Sequence, residues 1–162
     1  MSLDIIREQD LKKINNILRE LREESDAICT LLIDKGGHVI AHQGFSEKFD
    51  IVALSALAAG SFASTKEIAK MVGEPEFTMM FHQGKKEHIH ISLVNDMALL
   101  LVIFDDRTTV GMVRVYANQY SKELGAILEE AQKTAKGAAK DLNKISGEDI
   151  EGALDSVLPD EE

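Results

Sequence analysis

The spacing of apolar side chains divides the first part of the chain into a helix and two strands. Apolar positions three and four residues apart predict an amphipathic helix over residues 8–24. They are Leu11, Ile14, Ile17, Leu18 and Leu21. Residues 27–34 form a short, nearly continuous apolar run, and residues 39–42 follow it across a turn with two glycines. We therefore predict a buried strand and its returning partner in a hairpin.

A second helix is predicted between Phe49 and a stop at residues 73–75, where glycine and proline interrupt the helical pattern. The middle of this helix, residues 53–64, has no charged side chain and is rich in alanine, serine and glycine. A helix that is apolar or small on nearly every side is buried on more than one face. Since a chain of 162 residues can hardly cover such a helix completely, we expect its outer side to contact other polypeptides.

Three further strands are predicted over residues 76–82, 87–94 and 97–105, followed by a long helix that begins near Thr109. A separate short helix is expected over residues 146–158, with Ser146 as its N-cap. The order is α-β-β-α-β-β-β-α, so we predict an α+β fold with one five-stranded antiparallel sheet and helices on both faces. We expect one domain over residues 1–135 and an acidic C-terminal tail over residues 136–162.

Composition narrows the class of partner and the compartment. The net charge is −10, which argues against nucleic acid and anionic membranes, because both require clustered lysine and arginine. The single cysteine, Cys29, lies in an apolar run and is expected to be a small buried side chain. The N-terminus does not show a signal-peptide pattern, and residues 97–104, the longest apolar run, are too short to span a membrane. A soluble cytoplasmic protein is expected.

The outward side of the second helix is the predicted binding surface. If one stripe of this helix points to the sheet, helical spacing places Ala56, Gly60, Ala63 and Glu67 on the opposite side as a smooth groove. The expected sheet-facing stripe is Leu54, Ala58, Ser61, Thr65, Ile68 and Val72. Glycine inside a helix costs about 1 kcal/mol relative to alanine. Close approach of a partner's backbone at Gly60 accounts for that cost, although simple packing on a neighbouring helix also accounts for it.

Several stretches resemble the roadblock dynein-light-chain family and, within it, the MglB-like activators of small Ras-like GTPases. The element order agrees over residues 10–132. Similar stretches include the hairpin at residues 32–37, the small-residue segment at 54–60, residues 77–84, and the segment 102–108 followed by 111–114. The segment from Val102 to Thr108 is the most specific of these. The resemblance implies a roadblock/profilin-like fold.

The resemblance also implies a homodimer in which the middle helices of two subunits pair and the sheets join. It implies Ile51, Ser55, Leu57 and Phe62 as dimer-interface residues, and a surface that binds one GTPase and accelerates GTP hydrolysis. Such activators are associated with cell polarity and motility. The resemblance points to activation by positioning the switch loops of the GTPase. A scaffold that binds a GTPase or motor complex without accelerating hydrolysis is the alternative.

The candidate chemistry of the chain itself is sparse. The sequence has no Gly-x-x-x-x-Gly-Lys-Ser/Thr loop, so any nucleotide belongs to the partner and we expect no cofactor. Arg107 and Arg114 lie near a loop from which an arginine finger could project, but a turn such as Asp-Asp-Arg-Thr more often fixes a helix start, and we expect no finger and no catalytic residue. His82, His88 and His90 suggest a zinc site as a minor alternative; we expect no metal.

Overall fold

A computed structural model describes residues 6–44 and 47–157 of the chain. The elements are α1 (Glu8–Ser25), β1 (Cys29–Asp34), β2 (Val39–Gly44), α2 (Ile51–Met71), β3 (Met79–Gln83), β4 (Glu87–Val94), β5 (Ala98–Asp105) and α3 (Val110–Val157). The five strands form one antiparallel sheet in the order β2-β1-β5-β4-β3. The predicted element order and fold class are confirmed.

The two faces of the sheet carry separate cores. Side chains alternate along β5, so that Leu100, Val102 and Phe104 meet α1 and α3, while Leu101 and Ile103 lie on the side of α2. Because both faces are covered, every side chain of β1 and almost every side chain of β5 is buried. This two-sided burial explains why these strands read as continuous apolar runs in the sequence.

The ends of α2 follow from local sequence. The side chain of Asp50 accepts a hydrogen bond from the backbone N–H of Ala53 at 3.1 Å, which caps the first turn. At the other end Gly73 has a φ of +87°, and the N–H of Glu74 donates to the carbonyl of Ala69 at 2.9 Å. These bonds satisfy carbonyls that the helix end would otherwise leave free. The predicted stop at residues 73–75 is therefore confirmed.

The C-terminal part departs from the sequence prediction. The prediction of a separate helix beginning at Ser146 is wrong, because α3 runs without interruption through this position to Val157. Leu158, the last residue of the predicted helix, lies outside the described residues. Alanine, lysine and leucine are good helix formers, which favours continuation over a break. All described side chains from residue 136 to 153 are exposed. That exposure supports our proposal that the domain ends near residue 135, although this boundary lies inside α3.

A buried histidine gives the fold a testable dependence on pH. His90 on β4 is 2% exposed, and burial, with repulsion from Arg114, lowers its pKa from the ordinary 6.5 to about 4. The unfolded chain therefore takes up a proton at a higher pH than the folded chain. The difference in the pKa of His90 between the folded and unfolded chain leaves stability unchanged above pH 6.5 and reduces it as the pH falls from 6.5 towards 4.

The expected loss of unfolding free energy across that interval is on the order of 3 kcal/mol. We expect His90→Leu to remove this part of the pH dependence, as measured by urea unfolding at about pH 5 and about pH 7.5. His82→Gln is the matched control, since His82 on β3 is exposed. Equal pH dependence in the His90→Leu variant and the wild type would contradict the assignment.

Candidate functional site

The outward side of α2 exposes several large apolar side chains. Val52, Leu57 and Met71 are 74%, 73% and 84% exposed. Between them lie the small or polar exposed residues Ala56, Gly60, Ala63 and Glu67. We call these seven residues the outer face of α2. A Cβ built on Gly60 meets nothing within 4 Å among the described residues, so nothing within the described chain requires glycine there.

The inward side of α2 packs on β1 and β2 and the adjoining core. Ser55, Ala58, Ala59, Phe62 and Ala69 are its buried residues. The turn between β1 and β2 approaches very closely: a Cβ on Gly37, whose φ is +90°, would lie 2.8 Å from the Cα of Ala56. Glycine is therefore required at this contact, both for its conformation and for space. The contact helps to fix the rotation of α2 about its own axis.

The structure bears on each residue of the predicted binding surface. Ala56, Gly60, Ala63 and Glu67 are all exposed in the single chain, and their role in binding a partner stays a prediction. The expected sheet-facing stripe is partly wrong. Ile68 and Val72 are 55% and 67% exposed, because the buried stripe runs through Ser55 and Phe62.

The implied dimer-interface set needs a correction. Ser55 is 0% and Phe62 4% exposed, and both are buried within this chain, which leaves them unavailable to a second subunit. Ile51 is half-buried and packs against the core on the same side of the sheet as α2. Leu57 is freely exposed. The sequence analysis also did not identify Val52 and Met71 as exposed apolar residues of this helix. Phe62 could have shown which side of α2 is buried, since a phenylalanine in a helix of small residues favours the side that faces the core.

The outer face is apolar enough to need cover. By length and composition, α2 is the one helix among the described residues that would suffice to cross a membrane, and 22% of its apolar window is buried. One side of this helix nevertheless packs on the sheet of its own domain. Exposed apolar surface is typical of interaction sites, so the outer face of α2 is the candidate site.

The candidate arginines lie elsewhere. The Nε of Arg107 donates to Oδ1 of Asp105 at 2.9 Å, and its backbone N–H donates to the same oxygen at 3.1 Å. Thr109 caps α3, because its Oγ1 accepts from the N–H of Met112 at 3.2 Å. The loop therefore fixes the start of α3, as the Asp-Asp-Arg-Thr pattern predicts. Arg114 lies on α3, across the sheet from α2.

The histidines do not converge. His88 and His90 lie on the same face of β4, whereas His82 pairs with Ile89 and so belongs to the other face. The Nδ1 of His88 accepts from the N–H of Gly84 at 3.2 Å, and its Nε2 faces Asp106 at 3.5 Å. Among the residues that the structure describes, no three histidine, cysteine or acidic side chains form a metal-binding group. The three-histidine zinc site is therefore not formed.

Comparison with known proteins places this geometry in a family. The sequence model for the Roadblock/LC7 domain matches residues 13–104. The chain belongs to the Roadblock/LC7 domain family. The matched residues include the middle helix and, except for Asp105, all five strands described above, and the family is one of regulators and adaptors. The resemblance seen in the sequence is thus confirmed.

Solved structures and a curated relative extend the likeness. The chain is 35% identical to MglB of Myxococcus xanthus, covering 78% of this chain and 95% of that one, with a TM-score of 0.73. It is 30% identical to the gliding protein MglB from Thermus thermophilus, covering 77% and 95%, with a TM-score of 0.74. An uncharacterized protein of Aquifex aeolicus is 25% identical and covers 98% of this chain and 99% of its own length. The MglB-like fold supports a GTPase-associated regulator.

Proposed function

We propose that this Roadblock/LC7 protein is a homodimeric activator of a small Ras-like GTPase. The proposal rests mainly on the outer face of α2, where Val52, Leu57 and Met71 are largely exposed around a row of small residues. The small row admits close approach of another backbone, and the apolar residues around it lose contact with water on binding. We place the protein in the cytoplasm and associate it with polarity or motility.

We propose that different residues of the outer face serve pairing and GTPase binding. Leu57, near the first third of α2, contacts the second subunit, and the groove of Ala56, Gly60, Ala63 and Glu67 receives the GTPase. Glu67 carries an ion pair with Lys70 at 3.1 Å, which places both charges at the border of the apolar surface. Exposed ion pairs contribute little to affinity but help to orient an approaching partner.

Activation proceeds without an arginine finger in this proposal. The cations on α2 itself are Lys66 and Lys70, while Arg107 is held by Asp105 and Arg114 lies across the sheet. The dimer instead holds the switch loops and catalytic residues of the GTPase in their reactive arrangement, which lowers the barrier by preorganisation.

The decisive measurement is single-turnover hydrolysis of GTP by a small Ras-like GTPase, with and without this protein. We expect the protein to raise the rate on the order of 10-fold or more. We expect Arg107→Ala to retain the stimulation, because removal of a true finger costs roughly 10³- to 10⁵-fold. Loss of stimulation in Arg107→Ala would contradict the finger-free mechanism. Tight GTPase binding with an unchanged rate would favour the scaffold alternative.

The C-terminal part of α3 supplies a second proposed contact. From residue 136 this helix projects roughly 30 Å beyond the domain, and beyond Lys144 it carries Ile145 and Ile150, which are 55% and 58% exposed. We propose that it docks on a second site of the GTPase and tunes affinity. Truncation after Lys144 is expected to weaken GTPase binding about 10-fold, as measured by calorimetry. Dimerisation should be unchanged, and equal affinity for the GTPase would refute the second contact.

A further inference from the structure

The turn between β1 and β2, residues 35–38, carries an exposed histidine that is held by a buried acid. The side chain of Asp34 is 6% exposed and that of His38 is 72% exposed. The Nδ1 of His38 lies 3.2 Å and 3.1 Å from the two carboxylate oxygens of Asp34. The backbone N–H of His38 donates to Oδ1 of the same carboxylate at 2.9 Å. Asp34 therefore fixes both the backbone and the ring of His38.

These bonds assign a role to each ring nitrogen of His38. An ionised carboxylate only accepts hydrogen bonds, so the Nδ1 that faces Asp34 carries a proton. In the neutral imidazole the other nitrogen, Nε2, is then an acceptor. It has no hydrogen-bond partner among residues 6–44 and 47–157. A carboxylate on one nitrogen of a histidine sets the direction of the other nitrogen. The exposed edge of the ring thus offers one acceptor in a fixed direction.

The turn is continuous with the groove in which we place the GTPase. A Cβ on Gly37 would lie 2.8 Å from the Cα of Ala56, which belongs to that groove, and His38 is the next residue of the turn. On its other side Lys35 pairs with Glu76, in the segment after α2, at 3.4 Å. These contacts hold the turn against α2 before a partner arrives. A contact made from this turn therefore requires little ordering on binding.

We propose that His38 extends the GTPase-binding surface by accepting a hydrogen bond at Nε2 from an N–H or O–H group of the small Ras-like GTPase. Asp34 is a positioning residue, since it acts through the ring of His38. The inference rests on the proposed function and adds a contact at the edge of the same groove. It also assigns the β1–β2 turn a role beyond its packing on α2.

The test compares the affinity of full-length variants for the GTPase loaded with a non-hydrolysable GTP analogue, measured by calorimetry. We expect His38→Phe to weaken binding roughly 3- to 10-fold, because one hydrogen bond is lost. His38→Gln should retain more affinity, since its amide oxygen can accept a hydrogen bond. His82→Phe is the matched control, because His82 is exposed on β3, at the opposite edge of the sheet from β2. It should bind as the wild type does.

Asp34→Asn tests the positioning role with a second readout that needs no GTPase. An amide both donates and accepts, so it does not fix the proton on Nδ1 of His38. We expect ¹⁵N spectra of the imidazole in the wild-type chain alone to show the form protonated at Nδ1, and Asp34→Asn to shift the ring towards the form protonated at Nε2. Affinity for the GTPase should fall in the same direction as in His38→Phe. If His38→Phe does not fold, Asp34→Asn gives the binding test.

The outcomes separate this inference from the proposed function. Equal affinity of the wild type and His38→Phe for the GTPase overturns the contact but leaves the proposed function standing. Absence of GTPase binding by the wild type overturns both. A wild-type ring protonated at Nε2 overturns the assigned orientation of His38. Sedimentation and urea unfolding should give the same mass and the same midpoint for wild type and His38→Phe, so that a change in affinity reports the contact itself.

Discussion

Ala63→Arg is expected to abolish binding of the small Ras-like GTPase while the domain stays folded and dimeric. Ala63 is exposed in the middle of the outer face, so the longer side chain causes no clash within the chain. A flexible cation there fills the groove and must be stripped of water when the partner approaches. We expect affinity to fall on the order of 100-fold or more, measured by pull-down and by calorimetry.

Asn16→Arg is the matched control for this experiment. Asn16 is exposed on α1, across the sheet from the outer face, and receives the same added charge. We expect it to bind the GTPase normally. Adding Gly60→Arg to Ala63→Arg should remove any residual binding, because both changes occupy one groove. Unchanged GTPase binding in the Ala63→Arg variant would reject the groove as the binding site.

Leu57→Asp is expected to convert the dimer into monomers. Leu57 is 73% exposed in the single chain, and in our proposal it contacts the second subunit. In a two-fold interface each substitution appears twice, so two carboxylates lose water without a compensating partner. We expect dimer affinity to fall on the order of 100-fold or more, measured by sedimentation equilibrium at micromolar concentration.

Leu142→Asp is the matched control for dimerisation. Leu142 is 67% exposed, but it lies on the projecting part of α3. It should leave the dimer intact. A wild-type chain that is already monomeric at these concentrations would contradict the proposed dimer. Dissociation by Leu142→Asp, but not by Leu57→Asp, would move the interface from α2 to α3.

The two substitutions also separate the parts of the proposed function. Ala63→Arg removes GTPase binding from an intact dimer, whereas Leu57→Asp removes the dimer itself. If activation requires a composite surface from two subunits, both variants lose stimulation of GTP hydrolysis, but only one changes its mass in solution. The pair therefore distinguishes loss of the groove from loss of the assembly.

The local sequence of this protein determined its elements and their order. Periodicity marked α1, the apolar runs marked β1 and β5, and the glycine and proline at residues 73–75 marked the end of α2. These features act over a few residues, through caps, turns and side-chain spacing, so they can be read without knowing the fold. The resemblance to the roadblock family was carried by the same segments, and the family match confirmed it.

The tertiary structure decided which side of α2 faces the sheet and how α3 ends. Small residues on every side leave the rotation of α2 undetermined by periodicity, and the position of Gly37 against Ala56, together with the burial of Phe62, fixed it instead. Ser55 and Phe62, which the resemblance implied as dimer-interface residues, lie on the buried side.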